Sequence, residues 1–159
     1  IWNGNPDFWG KPSPVLFPIV GALKDDCYFY EGKKYNLSRH GFARDFEFEA
    51  IESSSNAASF LLKQNPEIRA KYPFEFELQM DYKLVDNSLI ISYIIRNKSN
   101  GEMPFSIGAH PAFALPNSFE DYSLKFEKEE NLITHELKNN LYSRKTKPIN
   151  LDKTNFFLT

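Results

Sequence analysis

The side chain of this sequence best suited to moving a proton near neutral pH is His110. It lies in the run SIGAHPAFALP, residues 106–116, whose other members are apolar apart from Ser106. An imidazole with an ordinary pKa of about 6.5 can both give and take a proton, which suits general acid–base catalysis. Because Pro111 disfavours a helical conformation for the residue before it, we predict an extended backbone at His110. The alternative is a core histidine whose nitrogens are bonded by neighbouring groups.

A second cluster of chemically capable residues is the run HGFARD at 40–45. It places His40, a flexible glycine, Arg44 and Asp45 in a connection between two predicted strands, where functional sites often lie. The guanidinium of Arg44 offers a rigid fork of donors to hydroxyl groups, and Asp45 is a candidate to anchor it. The structural alternative is an Arg44–Asp45 pair that caps the next strand, with His40 bonded to the backbone. His135, in THELK beside charged residues, is interpreted as an exposed strand position.

Other common kinds of site lack their sequence signatures. The chain has no CxxC pair, no HExxH, no glycine-rich phosphate loop and no GxSxG nucleophile turn. We therefore predict chemistry without a cofactor and without a metal. Cys27 is the one cysteine, so no internal disulfide is possible, and its setting in CYFY is typical of a small buried hydrophobic residue in a reducing compartment.

Length and composition predict a single globular domain over residues 1–159. Hydrophobic residues make up 42% and charged residues 25% of the chain, and the formal net charge is −2. This balance provides no basic field to attract nucleic acid or an anionic membrane, and no apolar run approaches the ~20 residues of a membrane span. We expect a cytoplasmic protein without nucleic-acid or membrane partners.

The strongest secondary-structure signal is a long antiparallel hairpin. Apolar and polar residues alternate from Phe74 to Leu84, which is typical of a half-buried strand, and SLIISYIIRN at 88–97 is apolar enough on both faces to return inside a sheet. NKSNGE at 97–102 predicts a second turn, so we expect the segment carrying His110 to begin as the third strand of a meander.

The rest of the chain shows short strands, turns and almost no helix. Prolines exclude a helix from the aromatic-rich approach before residue 18, and 65–73 allows one helical turn before Pro73. The lysine-rich run KNNLYSRKTKP predicts a solvated connection. This pattern favours an all-β fold, an antiparallel β-sandwich or barrel. Further strands are predicted as a hairpin around a turn at 31–33, from Phe46, at 57–63, 122–127 and 132–137, and at NFFLT, 155–159.

Three motifs in this order resemble the aldose 1-epimerase (galactose mutarotase-like) family, particularly its bacterial LacX-type branch. They are PVLFPIVG at 14–21, HGFARD at 40–45 and HPAF at 110–113, and the likeness covers nearly the whole chain. The resemblance implies an antiparallel β-sandwich of the galactose mutarotase-like (supersandwich) type. It also implies an enzyme that interconverts the α and β anomers of an aldose.

The resemblance assigns roles to four residues. His110 takes the place of the histidine that protonates the ring oxygen, and His40 that of the second active-site histidine. Arg44, His40 and Phe113 become substrate-binding candidates. A small-molecule aldose is the implied partner, no cofactor is needed, and a homodimer is possible.

Two departures from the family pattern keep alternatives open. Ala22 stands where we expect an arginine that reaches the sugar, and nothing before Thr159 resembles the family's base glutamate. We therefore expect the chain to be an incomplete portion of a longer protein, with the base outside it. The alternatives to an epimerase are a non-catalytic carbohydrate-binding or regulatory module and a sugar-phosphate mutarotase.

Overall fold

The structure is a computed structural model that describes residues 2–158. The chain divides into two compact units, which are described separately. The first unit comprises residues 14–110, and the second comprises residues 2–13 and 111–158. The single domain expected from chain length stays a prediction.

The first unit contains eight strands and one short helix. Two single 3₁₀ turns, Lys24–Asp26 and Ala43–Asp45, lie in its connections. Helix α1 spans Pro66–Lys71, and the strands are β1 Val15–Leu16, β2 Cys27–Tyr30, β3 Lys33–Asn36, β4 Glu49–Ser53, β5 Ala57–Lys63, β6 Phe76–Val85, β7 Ser88–Asn97 and β8 Gly108–Ala109.

The predicted long hairpin is confirmed. β6 and β7 pair antiparallel from Phe76 opposite Asn97 to Val85 opposite Ser88, within a sheet of order β4-β5-β6-β7. Alternate side chains of β6 are buried, as the period of two predicts. The expectation that β7 lies inside the sheet is wrong for the described strands, because β7 is an outer strand. Apolar residues on both faces do not distinguish an inner strand from an outer one.

The third strand of the predicted meander does not form. β8, which precedes His110, pairs with β1 instead of β7, with Val15 opposite Ala109. The side-chain amide of Asn97 donates to the carbonyl of Gly101 and closes the turn as expected. Pro104 then follows without a backbone N–H, so the chain cannot continue a regular ladder on β7.

Shorter predicted elements are largely confirmed. β2 and β3 form a hairpin whose turn residues Glu31 and Gly32 both have positive φ. α1 begins where the Asn65 side chain accepts the N–H of Ile68 at 2.8 Å, and its six residues make less than two turns. β4 begins at Glu49, later than the predicted start at Phe46, and the 3₁₀ turn Ala43–Asp45 precedes it.

The core of the first unit is centred on Phe17, which is fully buried. Its ring lies 5.2 Å from that of Phe76 and 6.1 Å from those of Phe42 and Tyr72, measured between centroids. Aromatic pairs at such distances stabilise a core beyond the area that they bury. The residues after β1, at the HGFARD run and on β6 are thereby packed into one cluster.

The second unit contains four strands in two antiparallel pairs, β10 with β11 and β9 with β12. A 3₁₀ turn, Phe119–Asp121, precedes them. The solvated connection expected at KNNLYSRKTKP is wrong, because most of this run is a strand. Asn139 and Asn140 both have positive φ and make a two-residue hairpin turn, which the lysine content obscured. The strands are β9 Ser123–Lys125, β10 Ile133–Lys138, β11 Leu141–Pro148 and β12 Asn155–Phe157.

No helix within residues 2–158 is long and apolar enough to cross a membrane.

The buried face of β6 predicts how two leucines of the same strand respond to truncation. Leu78 is fully buried, whereas Leu84 is 53% exposed. Leu78→Ala should lower the free energy of unfolding by about 2–5 kcal/mol, because it leaves a cavity in the core. Leu84→Ala should change it by no more than about 0.5 kcal/mol. Urea denaturation followed by circular dichroism measures both, and equal losses would contradict the assigned faces.

Candidate active site

The frame of the site is a close backbone contact between the segment after β1 and the HGFARD run. The carbonyl oxygen of Phe17 accepts the N–H groups of Phe42 at 3.0 Å and Ala43 at 3.2 Å. Gly41 lies against the same carbonyl with φ of +72°, and a Cβ atom there would come within 2.1 Å of the Phe17 oxygen. Glycine is therefore required at position 41 both for its conformation and for its lack of a side chain.

His40 is held by two hydrogen bonds to one residue. Its backbone N–H donates to the carbonyl of Gly21 at 2.7 Å, and the N–H of Gly21 donates to the ring Nδ1 of His40 at 3.0 Å. Because Nδ1 accepts a hydrogen bond, the hydrogen of the neutral ring lies on Nε2. His40 thus presents an N–H donor at the nitrogen that faces away from Gly21.

The surroundings of His40 favour its neutral form. Partial burial lowers the pKa of its imidazole from the ordinary value, and the charges of Arg39, Arg44 and His110 lower it further. At neutral pH the ring is therefore uncharged, with its hydrogen on Nε2.

His110 is placed by the pairing of β8 with β1. Its backbone N–H donates to the carbonyl of Pro14 at 3.2 Å, which extends that pairing by one residue. The residue is exposed, so the alternative of a buried core histidine is wrong. His110 and His40 are thus both bonded to one segment, residues 14–21, His110 through Pro14 and His40 through Gly21, although 70 positions separate them in the sequence.

The side chain of Arg44 contacts its own chain segment. Its Nη2 donates to the backbone carbonyl of Arg39 at 2.9 Å, and its Nε lies 3.8 Å from Oδ2 of Asp45. The Arg44–Asp45 pair and the backbone-bonded His40 of the structural alternative weighed from the sequence are thus both present. Nε of Arg44 is buried without a hydrogen-bond partner among the described residues.

Phe113, the remaining predicted binding residue, belongs to the second unit and is 72% exposed. Its contact with a substrate stays a prediction. Cys27 is only half-buried, on β2, and its thiol lies 3.7 Å from the carbonyl of Lys24.

Sequence reasoning missed Arg39. Its Nε lies 3.0 Å from Nε2 of His40, so a cation covers the donor side of the ring. Adjacent residues of an extended chain point in opposite directions, which gave no reason to pair them. His40 instead has φ of +69°, and the glycine that follows it was the only sign of unusual backbone here.

The described residues also line a separate groove of about 560 Å³ beside the HGFARD run. Neither histidine borders it, and its wall is mainly acidic and aromatic, including Asp26, Phe46 and Glu67. No group of three or more histidine, cysteine, aspartate or glutamate side chains within residues 2–158 is arranged to hold a metal ion. The two histidines therefore define the candidate site better than the groove does.

The fold places this chain among galactose mutarotase-like proteins. A galactose mutarotase related enzyme from Lactobacillus acidophilus superposes with a TM-score of 0.91 at 38% identity, over 99% of this chain and 54% of the other. A galactose mutarotase-like protein from Lactobacillus casei ATCC 334 gives 0.90 at 33% identity, over 99% and 56%.

The family assignment follows from the sequence. The sequence model of the aldose 1-epimerase family matches residues 1–157, and the chain belongs to that family. The plasmid and chromosomal LacX proteins of Lactococcus lactis subsp. lactis are each 36% identical to it over 141 residues. That match covers 82% of this chain and 47% of each LacX protein, so the chain spans about half the length of these relatives.

The contact at Gly41 predicts unequal effects of two glycine substitutions. Gly32 has a similar φ of +76° but open space around it, so Gly32→Ala should cost only the left-handed strain, about 1–2 kcal/mol. Gly41→Ala adds a clash with a backbone carbonyl and should cost on the order of 4 kcal/mol or more. Urea denaturation compares the two, and losses of equal size would show that Phe17 and Gly41 are not in close contact.

The lowered pKa of His40 predicts a loss of stability on acidification. Above pH ~6.5 the ring is neutral in both folded and unfolded chains, so it adds no pH dependence. As the pH falls below that value the unfolded chain binds the proton first, and the free energy of unfolding decreases. Urea denaturation at pH 7.5 and 5.5 should show a smaller decrease for His40→Gln than for the wild type and for His135→Gln. Equal decreases in all three proteins would contradict the lowered pKa.

Proposed function

We propose that the protein acts as an aldose 1-epimerase, which interconverts the α and β anomers of an aldose by opening and reclosing its ring. The observation that supports this most directly is that one segment, residues 14–21, bonds both His40 and His110, which lie in two of the motifs that resemble the family. The similar structures are a galactose mutarotase related enzyme and a galactose mutarotase-like protein.

The reaction requires one proton to leave the anomeric hydroxyl and another to reach the ring oxygen. His110, exposed at the end of the β1–β8 pairing, is proposed to protonate the ring oxygen. His40, neutral and with its hydrogen on Nε2, is proposed to donate a hydrogen bond to a sugar oxygen and hold the ring in place. Neither role needs a cofactor.

The base is a separate requirement. In the family that the chain resembles, a glutamate serves as the base. No glutamate of these 159 residues lies in a sequence context that resembles it. Arg44 and Phe113 are proposed substrate-binding residues. An aldose as the ligand, a homodimer and a cytoplasmic location are part of the same proposal.

A second candidate is a module that binds a sugar without chemistry. Ala22 favours it, because the position expected to carry an anchoring arginine ends at a methyl group. A binding module would retain affinity for an aldose but would not accelerate its mutarotation.

Mutarotation of freshly dissolved α-D-glucose and α-D-galactose, followed by polarimetry, tests the proposal on the product of the complete gene. Because a positioned general acid contributes ~10²- to 10⁴-fold, His110→Ala should lower kcat/KM by that order. His135→Ala, on β10 of the second unit, is the matched control and should leave the rate unchanged.

Two results would argue against this assignment. Undiminished activity in His110→Ala would remove the role of His110. A complete protein that binds either sugar by isothermal titration calorimetry, yet does not speed its mutarotation, would favour the binding module.

A further inference from the structure

The contact between Arg39 and His40 brings two hydrogen-bond donors together. Nε of Arg39 carries a hydrogen at any physiological pH, and it lies 3.0 Å from Nε2 of His40. For this contact to be a hydrogen bond, Nε2 would have to be a bare acceptor.

The number of hydrogens on a neutral imidazole argues against a hydrogen bond from Arg39 to Nε2. Nδ1 already accepts the N–H of Gly21, and a neutral imidazole has only one acceptor nitrogen. If Nε2 also accepted, the ring would be an anion. Neutral His40 therefore directs an N–H toward the N–H of Arg39.

Of the two contacts, the one to Gly21 is fixed. The backbone N–H of His40 donates to the carbonyl of Gly21, and this bond holds the backbone N–H of Gly21 against Nδ1 of the His40 ring. The Arg39 side chain is exposed, and no carboxylate of residues 2–158 lies within ion-pair distance of its guanidinium. The guanidinium is thus the partner that is free to adjust.

One oxygen with two lone pairs can accept from both donors, and because the present 3.0 Å separation leaves no room between the nitrogens, the Arg39 guanidinium must move aside to admit it. We propose that Arg39 and His40 form a two-donor site for a single ligand oxygen, with Nε of Arg39 and Nε2 of His40 both donating to it. This inference rests on the proposed function, in which that oxygen belongs to an aldose, and it adds Arg39 as a substrate-binding residue.

The electrostatics of the site agree with this geometry. The charged and titratable groups that act on His40 are Arg39 and Arg44 from its own segment and His110 from the segment after β8. All three oppose a second proton on the ring, so His40 keeps one donor and one bonded acceptor. A guanidinium also remains charged throughout, so the pair stays a pair of donors across the physiological range.

Substitution of Arg39 should leave the frame intact. Arg44 bonds the backbone carbonyl of residue 39 and not its side chain, and the side chain is exposed. Arg39→Gln removes the charge, Arg39→Lys keeps the charge without the planar fork, and Arg96→Gln, on β7 beside Gln79, is a matched control.

The test in the free protein is ¹⁵N NMR of the histidine rings. At pH 7 we expect the shifts of His40 to show a bare Nδ1 and a protonated Nε2. Arg39→Gln should raise the pKa of His40 by roughly half a pH unit, because one adjacent cation is lost near the surface. Arg39→Lys and Arg96→Gln should leave it near the wild-type value. A hydrogen on Nδ1, or an unchanged pKa in Arg39→Gln, would overturn the inference.

The test with ligand uses D-galactose and D-glucose on the complete protein. We expect the Nε2 signal of His40 to shift on addition of one of the sugars. We also expect Arg39→Gln to raise KM several-fold with a smaller change in kcat, and Arg39→Lys to restore KM only in part. An unchanged KM in Arg39→Gln would overturn the role of Arg39 in binding. Sugar-dependent Nε2 shifts without any mutarotation would support the donor pair and overturn only the enzymatic assignment.

Discussion

The carbonyl group of Phe17 is the point on which the arrangement of the first unit depends. Its oxygen accepts the N–H groups of Phe42 and Ala43, while the ring of the same residue is fully buried among aromatic neighbours. The backbone on one side of Phe17 pairs with the segment that carries His110, and on the other side Gly21 holds His40. A single short segment, residues 14–21, therefore bonds the backbone of His110 and both the backbone and the ring of His40. The aromatic core and the site share one support.

The elements that could be predicted from the sequence are those whose pattern is local. Three elements have signals that lie within a few residues of sequence. They are the alternation on β6, the turn at Glu31 and Gly32, and the helix after Asn65 that a proline ends. The partner of β8 could not be predicted in this way, because pairing with β1 joins residues more than 90 positions apart. β11 was not predicted for a different reason. Its lysines indicated exposure to solvent, but the exposed face of a strand carries such residues as well.

The site shows the same division. The residue types at His40, Arg44 and His110 and their family motifs were sufficient to nominate them. Nothing in composition or spacing indicated that the backbone of Gly21 fixes the ring of His40, or that Arg39 lies over it. These contacts depend on two consecutive left-handed residues, His40 and Gly41, and only the glycine is visible as a signal. The sequence also did not predict that Arg44 bonds the carbonyl of Arg39 as well as lying beside Asp45. A structural role and a binding role for Arg44 had been treated as alternatives.

The reciprocal pair between Gly21 and His40 also bears on how this surface can evolve. Both bonds use main-chain atoms of Gly21, so no neighbouring side chain is needed to orient the imidazole. The side chains at positions 22 and 39 can therefore change without altering the orientation of the ring. At position 22 an alanine already stands where an arginine is expected. The orientation of the ring depends on main-chain atoms of Gly21, whereas the side chains around it can vary. Such a division allows the side chains around His40 to change over evolution while the orientation of its ring is inherited unchanged.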